Sequence, residues 1–365
     1  MKNNLSFIKY TSNGNNFVIV DETEKNILSE NNKKEFAKTA TDINFGIGCD
    51  NFIILQRFSR ETLKDINEVR NYWKTIPDRN SPKFIFRMLE PDGNEALSCG
   101  NGLLCIADYL FKRYKINQAE IITEIPSVQP KSIKLGKDLE IGKSYVNMGP
   151  ARRVPNTLVE RSVVDVKTAE VDSVKSLKII FRSNDLNSVS NINEVDLNGY
   201  LVFTGEPHLV LFVEHAFSLE CIKNFFFIKK ENPEKISKIY ERRAGFGKWL
   251  VNHIGYYLNK KRRDIFPMGI NVNFARVIDK QLGLIDYRTY ERGINHETLS
   301  CGTGAIAVAH IAKTLKLIET NEITLMPYSC RLYDDKAHVM LKQRKNNWVL
   351  YGAPKLLYKA TYYNN

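Results

Sequence analysis

Two short stretches carry the residue types whose spacing could do chemistry. The first, Ser98-Cys99-Gly100-Asn101-Gly102, and the second, Ser300-Cys301-Gly302-Thr303-Gly304, each follow an apolar strand pattern and a polar turn, and each opens an apolar run with helical spacing. A cysteine at a helix start lies at the positive end of the helix dipole, which favours the thiolate. The glycines beside it leave backbone N–H groups open to an anionic ligand. A single Cys-Gly-X-Gly is a weak signal, because a buried, inert cysteine at a helix start is common. A matched pair is far rarer by chance, so Cys99 and Cys301 are expected to work as partners.

The elements that must hold these cysteines repeat as well. Tyr10-Thr11-Ser12-Asn13-Gly14 followed by an apolar run from Phe17 is echoed by Phe203-Thr204-Gly205-Glu206-Pro207-His208 followed by a run from Leu209. A glycine next to Pro or Ala-Pro closes a late strand 50 residues after Cys99, at Gly149, and 51 residues after Cys301, at Gly352. The alternation over 5–21 around Asn13-Gly14 predicts a hairpin, 30–41 a helix, and 52–56 a strand. The fold expected is therefore α+β, with two lobes of similar fold, each a curved, mostly antiparallel sheet around a central helix. Residues 1–150 form the lobe carrying Cys99 and 151–365 the lobe carrying Cys301, with the last strand crossing back to the first lobe. Such lobes would turn the two thiols toward each other across a cleft. Two stretches interrupt the repeat. Residues 57–82 read as a surface helix and loop without a chemical role, and 218–267 as a longer packing helix whose apolar positions run over 236–258.

Composition bounds the class. A chain of 365 residues with 43% hydrophobic and 26% charged residues is that of a soluble globular protein of two ordinary domains. The beginning, MKNNLSFIKY, has no apolar core of a signal peptide, and no run of eighteen apolar residues occurs, so a cytoplasmic protein without membrane contact is expected. Cysteines at 49, 99, 105, 221, 301 and 330 form no CxxC pair, which points to free thiols and no metal site. The net charge of +12 is scattered, and its one dense run, 260–263, follows a helix and lacks interleaved aromatics. Nucleic acid is not an expected partner. Cys105, inside the first cysteine helix, is read as a small buried residue, Cys49 is left unassigned, and Asp92 and Glu95 are read as turn and capping residues.

The blocks FIKYTSNGNNFVIVDE, FGIGCDNFIIL, FRMLEPDGNEALSCGNG, GEPHLVLFVE, GINVNF and ERGINHETLSCGTGA cover most of the chain. On these it resembles the diaminopimelate epimerase family, cofactor-independent epimerases in which two cysteines face opposite sides of a substrate α-carbon. The resemblance implies Cys99 and Cys301 as the two bases, one thiol and one thiolate, with unperturbed thiol pKa near ~8.5 lowered at the helix start. It implies that His208 and Glu291 help move protons to and from them. With no cofactor, the N–H groups of Gly100, Asn101, Gly302 and Thr303 would hold the substrate carboxylate as it gains enediolate character. Asn15, Asn51, Asn271 and Arg292 would complete a site for a small amino acid. A homodimer is one assembly left open.

Three positions depart from the family pattern. Glu90 and Glu206 stand where the family carries asparagine, and Asn51 replaces a glutamine. The family activity is conversion of LL- to meso-diaminopimelate. Glu90 and Glu206, if they line the distal pocket, favour instead a racemase of a basic amino acid such as lysine, arginine, ornithine or histidine. An isomerase of another skeleton, such as hydroxyproline or a phenazine precursor, shares the architecture. A non-catalytic amino-acid-binding protein is the alternative of another class, against which both intact cysteines argue.

Overall fold

The computed structural model describes residues 4–78, 82–181, 194–217, 220–228, 238–334 and 337–363. The chain divides into two compact units, one of Met1–Gly149 with Val349–Asn365 and the other of Pro150–Trp348.

The first part of the chain runs β1 Leu5–Ser12, β2 Asn15–Glu22, α1 Glu30–Thr41, β3 Asn51–Arg57, α2 Arg60–Arg70, β4 Phe84–Leu89, β5 Glu95–Ala96, α3 Gly100–Tyr114, β6 Gln118–Thr123, β7 Lys131–Asp138 and β8 Lys143–Pro150. The second part runs β9 Asp165–Val166, β10 Asp172–Ile180, β11 Glu194–Phe203, β12 Pro207–Phe212, α4 Val213–Ala216, α5 Glu220–Phe226, α6 Lys238–Lys260, β13 Asn271–Asp279, β14 Leu284–Glu291, β15 His296–Thr298, α7 Gly302–Thr314, β16 Glu322–Pro327, α8 Tyr328–Arg331 and β17 Val339–Arg344. Strands β18 Asn347–Gly352 and β19 Lys355–Tyr362 end the chain.

In the first unit β1 and β2 form the hairpin that Asn13-Gly14 announces. Both turn residues have positive φ, 49° and 87°, as a two-residue turn matching the strand twist requires. The sheet continues with β2–β3 parallel, β3–β4 and β4–β5 antiparallel, β4–β6 parallel and β6–β7 antiparallel. Strand β19 lies antiparallel to β1, with Leu5 opposite Tyr362. Helix α3 is buried over its first three turns, Gly100 through Leu110, which makes it the central helix of this unit. Gly102 is closely packed there, since a Cβ would come within 3.0 Å of Ile53 and 3.3 Å of Phe86.

The second unit repeats that scheme. Its pairings are β11–β12 antiparallel, β12–β13 parallel, β13–β14 and β14–β15 antiparallel, β14–β16 parallel and β16–β17 antiparallel. Helix α7 follows β15 as α3 follows β5, and it too is buried along most of its length. The internal repeat read from the sequence is thus a repeat of the sheet order and of the helix within it.

The two interruptions fall at different places in the repeat. The first unit joins β3 to β4 through 58–83 where the second joins β13 to β14 through the short turn 280–283. The second unit joins β12 to β13 through 213–270, far longer than the β2 to β3 connection. The expectation of a purely surface helix for the first insertion is corrected here. Leu63 and Ile66 on α2, with Trp73 beyond it, are buried against Ile85, Ile122 and Ile125 as a small separate core. The overall polarity of the stretch masks a narrow apolar seam at i, i+3 spacing. The second insertion is a packing helix: Leu250, Val251, Ile254 and Leu258 of α6 join the main core of the unit. The parts of that stretch at 218–219 and 229–237 lie outside the described residues.

Candidate active site

Cys99 is the residue that caps the N-terminus of α3. Its backbone is extended, with φ −143° and ψ 110°, and its Sγ accepts the N–H of Gly102 at 3.4 Å. Cys301 caps α7 in the same way, with φ −126°, ψ 118° and the N–H of Gly304 at 3.3 Å from Sγ. A thiol in the capping position takes the place of the usual Ser or Asp oxygen, and a thiolate accepts such a bond better than a thiol. The next amides, of Leu103 and Ala305, bond to the carbonyls of Cys99 and Cys301.

The start of each cysteine helix is tied to a hairpin turn of its own unit, β1–β2 in the first and β11–β12 in the second. In the first unit the buried side chain of Asn101 accepts from Asn13 Nδ2 at 3.1 Å and donates to Asn15 Oδ1 at 2.6 Å. Asn15 in turn reaches Asp50, 3.5 Å away, and the Asn16 amide donates to the same carboxylate at 2.8 Å. In the second unit Thr204 Oγ1 donates to the Thr303 carbonyl at 2.8 Å. Asn51 and Asn271 occupy matching places, opposite Phe17 and His208 in the two parallel strand pairs.

Around Cys301 a chain of polar groups runs inward. Thr303 Oγ1 is 3.3 Å from Cys301 Sγ and 3.1 Å from His208 Nε2, and His208 Nδ1 is 2.9 Å from Asn273 Nδ2. If the Asn273 amide nitrogen donates to Nδ1, the imidazole proton sits on Nε2, and the Thr303 hydroxyl is then free to donate to sulfur. His208 has no exposed surface. Burial, with the nearby charge of Arg292 added, pushes its pKa down to about 3, so the ring is neutral throughout the working range. Tyr287 lies under the same cysteine, its hydroxyl 2.8 Å from Ser300 Oγ and donating to the Cys301 carbonyl at 3.3 Å.

A second group forms beside it. Asn271 Oδ1 accepts the N–H of Arg292 at 2.9 Å, its Nδ2 donates to the Pro207 carbonyl at 3.3 Å, and the guanidinium of Arg292 is paired with the carboxylate of Glu206. Glu291 accepts the hydroxyl of Thr298. Glu90 stands in the turn after β4, where its N–H meets the Asn94 carbonyl at 2.8 Å. It lies three residues after Arg87, as Glu291 lies three after Arg288, so the two carboxylates are counterparts in the repeat.

Behind each cysteine is a buried, two-pronged ion pair. Arg87 holds Glu95 through Nε at 2.9 Å and a terminal nitrogen at 2.8 Å, and Arg288 holds Glu297 through two bonds of 2.7 Å. Each glutamate stands four residues before its cysteine. Glu95 is therefore a brace rather than a capping residue. The sequence reading passed over Asn273, Tyr287, Arg87, Arg288 and Glu297. Alternation along β13 was the available signal for Asn273, since it shares a strand face with Asn271. Cys105 is fully buried and its thiol pKa is pushed up by that burial. Cys49 donates to the Ala40 carbonyl at 3.1 Å and is pushed up to about 11 by burial, as an inert structural thiol would be. Cys49, Cys99, Cys105, Cys301 and Cys330 are all free thiols. Among the described residues no helix is long and apolar enough to cross a membrane.

Comparison with known proteins finds relatives in both sequence and fold. Residues 7–154 match the family model of diaminopimelate epimerase. A diaminopimelate epimerase of Methanothrix thermoacetophila is 28% identical over 322 residues, 88% of this chain and 86% of that protein. One from Prochlorococcus marinus is 28% identical over 331 residues, covering 90% and 89%. Among solved structures, a hydroxyproline epimerase from Agrobacterium vitis aligns with a TM-score of 0.53 at 12% identity, over 99% of this chain and 93% of that one. A phenazine biosynthesis protein of Enterococcus faecalis aligns at 0.51 and 13%, over 99% and 100%. These structures share the fold. In sequence the chain is similar to diaminopimelate epimerases over most of its length, and its fold is the one these solved structures share.

Proposed function

We propose that the protein inverts the α-carbon of an amino acid by a two-base mechanism without pyridoxal phosphate, with LL- to meso-diaminopimelate as the first substrate to test. The observation that supports it is the thiol-capped helix start built twice, with Sγ accepting the third helical amide at 3.4 Å in one copy and 3.3 Å in the other. One cysteine as thiolate takes the α-proton, and the other as thiol returns a proton to the opposite face. The enzyme is left with the charge states exchanged, ready for the reverse reaction. The first amides of each helix, at Gly100 and Asn101 and at Gly302 and Thr303, would bind the substrate carboxylate while negative charge moves onto it. Such donors are each worth roughly 3–4 kcal/mol where measured in other enzymes. His208, neutral and hydrogen-bonded to Thr303, would hold the hydroxyl toward Cys301 and so favour its thiolate. Glu291, and in the other unit its counterpart Glu90, would serve as nearby acceptors in the proton exchange. Free thiols suit a reducing compartment, and we place the enzyme in the cytoplasm.

A second reading is favoured by one contact. Arg292, the guanidinium expected to meet the distal carboxylate of diaminopimelate, already carries Glu206. An opposite charge about 4 Å away is worth roughly 4 kcal/mol at an effective dielectric near 20, before desolvation is subtracted. A substrate with a cationic end and no distal carboxylate, such as lysine, arginine, ornithine or histidine, avoids that competition. The test is α-proton loss in deuterated water, measured by NMR for diaminopimelate and for these four amino acids. Exchange with diaminopimelate alone supports the first reading and exchange with a basic amino acid alone the second. Absence of exchange with all of them overturns the proposal.

A further inference from the structure

The two insertions enter the repeat at non-equivalent points, yet both end on the same element. In the first unit the stretch after α2 brings the Tyr72 hydroxyl to Glu95 Oε2 at 3.2 Å, and Arg70 lies 3.6 Å from Glu30, whose other oxygen takes Arg87 at 2.7 Å. In the second unit α5 ends with the Phe226 carbonyl accepting from Arg288 at 2.8 Å, and α6 offers Asn252 Oδ1 to the Glu297 amide at 2.8 Å. The close approach of α6 is built into its sequence. A Cβ at Gly247 would lie 2.0 Å from the Phe225 carbonyl, and one at Gly255 would lie 2.1 Å from the Tyr290 ring. Burial of apolar surface alone would not direct two unrelated segments to one Arg–Glu pair in each copy.

We infer that the insertions are a matched pair of positioning clamps, in which Tyr72 fixes the loop that presents Cys99 and Asn252 the loop that presents Cys301. The inference rests on the two-cysteine reading. Each glutamate sits four residues before its cysteine, on the second strand of the short hairpin β4–β5 or β14–β15, so its position sets where the helix begins. A shift of about 1 Å in a reacting group can lower a rate as much as 100-fold. The loss of one brace among several is expected to cost less.

The experiment uses the full-length protein with Tyr72→Phe, Asn252→Ala and the exposed-site control Lys64→Ala. Tyr72→Phe removes one oxygen and leaves the ring packed. The measurements are kcat and KM with the substrate found by the exchange screen, and the pH dependence of iodoacetamide labelling at Cys99 and Cys301, read by peptide mapping. The expected result is a kcat lowered about 3- to 10-fold with KM changed less than about twofold. The labelling profile should shift at Cys99 only for Tyr72→Phe and at Cys301 only for Asn252→Ala, with Lys64→Ala unchanged. Unchanged kcat and profiles, or a loss of thermal stability without either shift, overturns the inference. Both outcomes are separate from the two-base reading, which fails if Cys99→Ala or Cys301→Ala retains inversion.

Discussion

His208 gives a prediction that can be worked through. Its ring has a pKa near 6.5 when unfolded and about 3 in the folded protein, because burial excludes the charged form. Below pH 6.5 the unfolded chain binds a proton that the native chain does not. Stability is therefore lost as pH falls from 6.5 toward 3 and is unaffected by this group above that window. Between pH 7 and pH 5 the two pKa values give a loss of about 2 kcal/mol. The substitution His208→Gln keeps a polar side chain facing Thr303 but cannot titrate. Urea unfolding of wild type and variant at pH 7 and pH 5 measures the effect, and contributions from Glu30 and other groups cancel in the difference. Wild type should lose about 2 kcal/mol more than the variant over that interval. Equal losses in the two proteins would show that His208 is not held neutral, and the hydroxyl relay to Cys301 would lose its basis.

Three further outcomes are expected. Thr303→Val removes a hydroxyl 3.3 Å from Cys301 Sγ, and a hydrogen bond to a charged group is worth about 1.5–3 kcal/mol. The iodoacetamide rate at Cys301 at pH 7 should therefore fall about tenfold or more, and an unchanged rate would remove Thr303 from the thiolate's support. Glu206→Asn frees Arg292, so kcat/KM for diaminopimelate relative to lysine should rise roughly tenfold, the Coulomb gain being discounted for partial exposure. No change in that ratio would show that the pair does not read the substrate. Gly255→Ala drives a methyl into the Tyr290 ring and should lower stability by about 1–3 kcal/mol in thermal melts, whereas a neutral result would mean that α6 can move away.

The hairpin at Asn13-Gly14, helix α1 and both cysteine helices were legible because local rules act alone there. Positive φ selects Asn-Gly, and a run buried on all sides makes a central helix. The repeat was legible because its turn residues recur at nearly constant spacing. What remained hidden depends on partners distant in sequence. Arg87 and Glu95 look like ordinary surface charges until β4 and β5 pair, and Asn252 gains meaning only when α6 crosses β15. Tyr287 and Phe86 occupy matching places before Arg288 and Arg87, so one unit has a hydroxyl under its cysteine where the other has a bare ring. That difference between the two copies is chemical and cannot be seen from the repeat alone. Glu206 was recognised as unusual, but its pairing with Arg292 required the β12–β13 register that sets Asn271 beside His208.

The central claim is that Cys99 and Cys301 both act on one α-carbon. The most direct measurement is inversion of substrate in deuterated water, followed by chiral chromatography and mass spectrometry, for wild type, Cys99→Ala and Cys301→Ala. Wild type should place deuterium at the α-carbon of the inverted product. Each single variant, folded by circular dichroism, should form no inverted product from either stereoisomer. Inversion at near wild-type rate by either variant would contradict the claim.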